Sequence, residues 1–449
     1  MKPIPASDLS PRTTSSAVPA SVTPNNASAN TETPTVTPTP GDVDNLIATA
    51  TTTGTASAPQ TLSRGLERPL GAGLTLRAGV GAHGLSSEGL SDAMLSYSDA
   101  VDAVMAKLES RLPQAEPKAL RRLVFLSLES AAITWGRLAT HEAGHVLGAQ
   151  TAGAKAHIEQ LGLTQGLSRL EGPANRDHYG AFLLGGLNQS ESHRSYLHKE
   201  SARKGELSLG NALTAISTAL DDTLYIATTW RDAQKGATWQ YADPANMRRF
   251  FAQTGRQVSY EHLLAKAFVA DALSSLTWDA LTTAYQYIKT GDRTQARAQF
   301  ELLGAQILGP DTSLLRSAYG DSFRVESQVH TSATNTWEVR LDLRTHLDNW
   351  NLNAVGVRLQ KLDAARIEAL NLTVSPYIGV ATRVSDQNPA GLALERRLAG
   401  ELGFEFSARP HNLKHVEIVG RVGYGNRGWD GAATAKADID AYVGVRLSF

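Results

Sequence analysis

Two hydrophobic periods divide this chain. From about residue 88 to 310, apolar residues recur every three to four positions, as on one face of an amphipathic helix. From Ser322 to the end they recur at every second position, as on one face of a strand. The helical period predicts helices near residues 91–111, 117–153, 179–204, 208–230, 245–254, 259–290 and 293–305, with EGPANRD and YADPAN as turns between some of them. The strand period is plainest in TWEVRLDLRTHL, where Trp337, Val339, Leu341 and Leu343 fall on one face and Glu338, Arg340, Asp342 and Arg344 on the other. It recurs at residues 322–330 and in NAVGVRLQ, LNLTVSPYIGVAT, AGELGFEFSA, HVEIVGRVGYG and DAYVGVRLSF, making seven strands. An eighth is predicted far upstream in GLTLRAGVGAHG, where Leu74, Leu76, Ala78, Val80 and Ala82 alternate with Thr75, Arg77, Gly79, Gly81 and His83.

These elements imply an α+β chain in four parts. A Ser/Thr/Pro-rich tail covers 1–66, a first barrel strand lies within 67–86, a helical domain covers 87–315, and an antiparallel β-barrel of about eight strands closes over 316–449. The tail, as in TETPTVTPTPGD, holds too little apolar surface to offset its chain entropy and is expected to be disordered. Period-two alternation suits a soluble sandwich as well as a membrane barrel. Two features favour the barrel. Connections alternate between short (TSATN, RPHN) and long (VSDQNPAGLALER, NRGWDGAATAKAD). The last strand sets Phe449, Leu447, Val445 and Val443 against Ser448, Arg446 and Gly444, and it resembles the C-terminal strand of bacterial outer-membrane barrel proteins. That resemblance implies a bacterial outer-membrane location and lipid as a partner. It also implies a signal peptide ahead of this numbering, since MKPIPASDLSP lacks an apolar core. Counting strands back from Phe449 makes the helical domain an insertion between strands one and two, on the outer side.

Composition narrows the chemistry. Lys plus Arg (43) nearly cancels Asp plus Glu (44), so no global field attracts nucleic acid. There is no cysteine, which excludes disulfides, thiolate metal sites and cysteine nucleophiles; any metal must be held by His, Asp or Glu. No apolar run reaches the ~18 residues of a transmembrane helix. The best, LVFLSLESAAITWG, is broken by Glu129 and flanked by Arg121, Arg122 and Arg137.

The candidate chemistry is concentrated in LATHEAGHVLGAQ, residues 138–150. Four positions apart on a helix, His141 and His145 share a face and can aim ring nitrogens at one ion. Glu142 points to the adjacent side, where its carboxylate can take a proton from a metal-activated water. Ala143 and Gly144 leave the helix thin where metal and substrate must approach. The bland alternative is an amphipathic helix with partly exposed histidines. Against it, the neighbours Ala139, Ala143, Val146, Leu147 and Ala149 are small or apolar, and unpaired polar groups are costly among them.

HEAGHVLGAQTAGAKAHIEQLGL resembles the zinc helix of the His-Glu-x-x-His metallopeptidases. Its HEAGH core is similar to that of membrane-bound AAA-type proteases, and AKAHIEQLGL resembles the strand after the motif in site-2 proteases. The likeness covers about 25 residues; the ATPase P-loop, the set of transmembrane helices and the Asp-Gly motif of those families are absent. It implies Zn2+ as cofactor, a peptide or protein as substrate, and an aspartate far downstream as third ligand, because the extended HExxHxxGxxH form is missing. Asp221 and Asp222, in NALTAISTALDDTLYIATTW, stand at a comparable separation among Leu220, Leu224 and Ile226, although a solvated helix face explains them equally well. Asp271 comes next, and Glu191 or Glu200 would serve a glutamate-ligand site. Asn188, Gln189, His193 and His198 are candidates for holding substrate or an oxyanion, or for loop capping.

The leading expectation is therefore a zinc-dependent peptidase carried by an outer-membrane β-barrel. Two rivals stand beside it. In one, the barrel is the functional part and the helical domain is a plug or binding module without catalysis. In the other, the whole chain is a soluble zinc hydrolase with a β accessory domain.

Overall fold

The structure, a computed structural model, describes residues 75–448 except 82–85, 113–116, 164, 173–174, 237–241, 254–255, 318–319, 333–334, 347, 385–395, 414 and 427–436. The expected tail, Leu74, Ala82, His83, Phe449 and most of the two long connections lie outside the described residues.

Seven α-helices occur among the described residues: α1 (Ser87–Arg111), α2 (Lys118–Thr151), α3 (Arg176–Lys204), α4 (Leu209–Gln234), α5 (Asp243–Gln253), α6 (Tyr260–Leu273) and α7 (Ser275–Thr290). Their starts are chemically marked. The side-chain oxygens of Ser86, Asn175, Ser208, Ser259 and Ser274 accept the otherwise unpaired N–H groups of Gly89, His178, Asn211, His262 and Thr277. Gly205 and Gly291, at φ 71° and 92°, end α3 and α7 in the left-handed conformation.

Two expected helices are corrected. The run 259–290 is split into α6 and α7 at Ser274, whose backbone is extended and whose hydroxyl donates to Asp311. The run 293–305 is not helical. It forms strands β5 (Thr294–Ala296) and β6 (Gln299–Leu302), and β6 turns through Leu303 and Gly304 (φ 53° and 78°) into β7 (Ala305–Leu308). Tertiary pairing overrides helix propensity here: β5 is laddered to β4 (Glu206–Ser208), and β7 to β9 (Gly320–Ser332).

The remaining strands are β1 (Thr75–Gly81), β2 (Lys155–Leu161), β3 (Gly166–Glu171), β8 (Asp311–Ser317), β10 (Asn335–Thr345), β11 (Leu352–Lys361), β12 (Ala365–Ile367), β13 (Leu372–Val384), β14 (Arg396–Ala408), β15 (Val416–Asn426) and β16 (Ala437–Ser448). β2 and β3 form a separate antiparallel hairpin directly after the HEAGH helix. Twelve strands make one antiparallel sheet in the order β1-β16-β15-β14-β13-β11-β10-β9-β7-β6, with β12 on β13 and β8 on β9. The upstream strand thus pairs with the last one, Ala78 opposite Val445 and Val80 opposite Val443. Among the described residues no ladder joins β1 to β6 or β8, so the sheet is open rather than the closed eight-stranded barrel expected. It also begins earlier than residue 316, because β6, β7 and β8 belong to it.

The faces of this sheet are inverted relative to a water-soluble one. Arg77, Glu338, Arg340, Asp342, Arg358 and Gln360 are buried, whereas Val357, Leu359, Ile378, Val380, Leu402, Phe404, Val422, Val443 and Val445 are exposed. The polar face is covered by α1 and α3. Asp99 pairs with Arg77 at 2.9 Å, Lys199 with Glu338 at 2.8 Å, Glu200 with Arg446 at 3.0 Å and Glu88 with Arg421 at 2.7 Å. Tyr442 donates to Asp92 across the same boundary. The helical segment is therefore not an appendage: two of its helices lie against the charged side of the sheet. Its apolar core forms where α3, α4, α5 and α6 meet β8 and β9, around Leu183, Leu187, Ile226, Phe251, Leu263, Leu314 and Phe323.

Candidate metal centre

Helix α2 carries His141, Glu142 and His145 on its buried side; all three are at most 6% exposed. The side faces α3 at very short range, because Gly148 of α2 meets the backbone carbonyl of Ala181 and Gly185 of α3 meets that of Gly144, leaving no room for a Cβ on either. Gly186 completes this close approach. A Cβ there would lie 2.5 Å from His145 Nε2 and 2.6 Å from His141 Nε2, so the glycine keeps the space before both ring nitrogens open.

The third member of the cluster is Asp243, the first residue of α5. Its Oδ2 stands 3.1 Å from His141 Nε2 and 3.3 Å from His145 Nε2. Two ligands each about 2.0–2.1 Å from a tetrahedral ion lie about 3.3 Å apart, so the spacing suits a tetrahedral cation with nitrogen and oxygen donors. Each outer ring nitrogen is also engaged. His145 Nδ1 is 2.7 Å from the carbonyl of Phe182. A carbonyl only accepts, so Nδ1 carries the proton and Nε2 presents its lone pair to the centre. Asp221 Oδ2 lies 3.2 Å from His141 Nδ1, at ion-pair distance although off the hydrogen-bond line. Asp221 is itself held by Arg137 and by Ser190, whose hydroxyl donates at 3.0 Å. The N–H of Asp243 donates to Tyr225 at 2.9 Å, which fixes the start of α5 beside α4.

Electrostatics follow from this crowding of carboxylates around two rings. Burial opposes a charged His141, but Asp221 and Asp243 outweigh it and push its pKa up to about 10. His145 is raised in the same way, against burial, chiefly by Asp243. Burial works against the ionised form of Asp221 too, yet Arg137 and His141 hold it down to about 2; Asp243 is likewise held low, by His145 and His141.

Glu142 stands beside the cluster and is positioned from the hairpin. Ser168 on β3 donates to its Oε2 at 2.7 Å and to its backbone carbonyl at 3.1 Å. Gly166 on the same strand lets the hairpin close over the carboxylate: a Cβ would come within 2.5 Å of Oε1.

The structure brings His141, Glu142 and His145 together and sets Asp243, rather than Asp221 or Asp222, before both Nε2 atoms. Asp221 sits behind His141, on the far ring nitrogen. Asp222 points away into a fully buried pair with Arg316. The other candidates are engaged elsewhere. Asp271 pairs with Arg194 and accepts from Thr223, Glu191 accepts the N–H of Leu314, and Glu200 pairs with Arg446. Asn188 binds the backbone of Arg316 through both side-chain atoms, Gln189 donates to the carbonyl of Ser87, His193 meets Ser91, and His198 lies against Arg297. Asp243 escaped the sequence reading because it lies in YADPAN, where Asp-Pro reads as a turn and helix start. No family model, curated protein or solved structure matches this chain.

Proposed function

We propose that the chain is a zinc-dependent peptidase built into an outer-membrane β-sheet. One observation carries the reading. Two imidazole nitrogens and one carboxylate oxygen converge in a buried space kept open by a glycine, with a second carboxylate, Glu142, aligned alongside. His141, His145 and Asp243 would hold the metal; a bound zinc supplies a Lewis acid that acidifies water and polarises a scissile carbonyl. The chain's own residues do the rest. Glu142, oriented by Ser168, accepts the proton of the attacking water and returns it to the departing amine. Asp221, backed by Arg137, holds His141 in place. Burial of the cluster keeps competing water out.

The membrane part of the reading rests on the inverted sheet. An apolar exposed face opposite a charged buried face suits lipid outside and polar groups inside. The test of the catalytic part is Glu142→Gln, which keeps shape and loses the proton acceptor. Against a fluorogenic peptide library, the wild type should show chelator-sensitive cleavage. The variant should lose about 10²–10⁴ of it while retaining its zinc. Undiminished cleavage by the zinc-loaded variant contradicts the assignment.

A further inference from the structure

The helical body presents an apolar face that no described residue covers. Along α2 the outward positions Leu120, Leu123, Val124, Leu128 and Trp135 are between 37% and 57% exposed. The outward positions among them, Ser127, Ala131 and Thr134, are uncharged. Helix α7 runs beside α2 and turns Trp278, Leu281 and Tyr285 to the same exterior. The two helices are antiparallel, since Arg122 near the start of α2 donates to the carbonyls of Ile288 and Lys289 at the end of α7, at 3.1 and 2.8 Å. Their exposed band therefore has Arg121, Arg122 and Lys289 near one end and the tryptophans Trp135 and Trp278 near the other. At 1.5 Å per residue, Leu120 to Trp135 spans about 22 Å. That is close to the ~25 Å apolar band of outer-membrane barrels, with basic and indole groups at the edges as membrane interfaces favour. Trp135 precedes His141 by more than a turn, so the band stops short of the metal centre.

The open sheet supplies the second observation. An uncovered sheet edge is not tolerated in hydrocarbon. Here α1 packs on β1, one end strand of the sheet, and α3 and α6 pack on β8, an outer strand beside β9. The helical body thus packs on two of the sheet's outer strands, β1 and β8. No described helix is long and apolar enough to cross a membrane alone, so α2 and α7 can offer a lipid-compatible face but not independent spans.

We infer that the outer face of α2 and α7 meets lipid acyl chains and, together with the apolar outer face of the sheet, forms one continuous belt around the molecule. The inference rests on the membrane reading of the sheet, and its test separates the two. Because the chain has no cysteine, single cysteines can be placed at Val124, Leu128 and Leu281 on the helices, at Leu402 and Val443 on the sheet, and at exposed Lys155 on the β2–β3 hairpin as a control. Each variant is labelled with an environment-sensitive fluorophore and reconstituted into phosphatidylcholine vesicles with brominated acyl chains. The belt predicts a severalfold loss of emission at the helical and sheet positions alike, and none at Lys155. Quenching confined to the sheet overturns the helical half while leaving the membrane reading intact. Quenching at neither set overturns both, and quenching at the helices alone overturns the belt.

Discussion

His141 and His145 show how much of a candidate metal site one helical turn can specify. Their four-residue spacing and the intervening Glu142 are legible in the sequence because a single α-helix sets all three directions. Asp243 is not legible, because it is 102 positions beyond His141 and arrives only when α5 docks on Tyr225. Asp221 and Asp222 stand out in the sequence as adjacent carboxylates on a largely apolar helix, for which a solvated face is an equal reading, and the structure encloses both side chains. Burial alone, however, does not say which partner each meets: one backs a histidine and the other an arginine. The residue scale also fixes a pH dependence. The folded pKa of His141 is raised from 6.5 to about 10, so in the metal-free protein its charged form contributes stability that is complete below pH 6.5 and is lost as pH rises through about 10. A cation must displace that proton. Zinc affinity, measured by chelator competition between pH 6.5 and 8, should rise by up to about tenfold per pH unit for each proton released. Affinity independent of pH over that window contradicts the placement of His141 among the ligands.

At the scale of elements, the period of the hydrophobic pattern located most helices and eight of the twelve strands of the large sheet within a few residues. It failed where long-range pairing decided the outcome. Residues 293–305 have helix-favouring composition but complete two small ladders, and Ser274 breaks a continuous pattern because its hydroxyl finds Asp311. The α2–α3 contact was invisible for a related reason. Glycines at 148, 185 and 186 give no sign of that contact until the facing helix is in place. Gly186→Ala tests that contact. Alanine should raise the intrinsic propensity of α3 by about 1 kcal/mol. Its methyl group, however, occupies the space before both Nε2 atoms. The expected outcome is a folded protein, judged by circular dichroism, that has lost most of its zinc affinity. Full affinity in Gly186→Ala would mean that the ion does not sit between the rings and α3.

For the whole molecule, the sequence pattern carries the alternation of the sheet but not whether it closes, since the helices that pair with its charged face come from far away in the sequence. Which face meets lipid is testable at Leu402, exposed on β14. Leu402→Arg should destabilise the protein in vesicles by about 2–4 kcal/mol if that face is in hydrocarbon. Denaturant titration giving a change within about 0.5 kcal/mol would place it in water instead. The inverted sheet and the buried cluster meet in one functional account, and the metal is its centre. The most direct measurement is the zinc content of the detergent-purified wild type beside Asp243→Ala and Asp222→Asn. The account predicts about one zinc per chain in the wild type. It predicts loss of that zinc in Asp243→Ala, whose carboxylate faces both rings, and retention in Asp222→Asn, which disturbs only the pair with Arg316. Full zinc in Asp243→Ala, or a wild type that binds none when zinc is supplied, contradicts it.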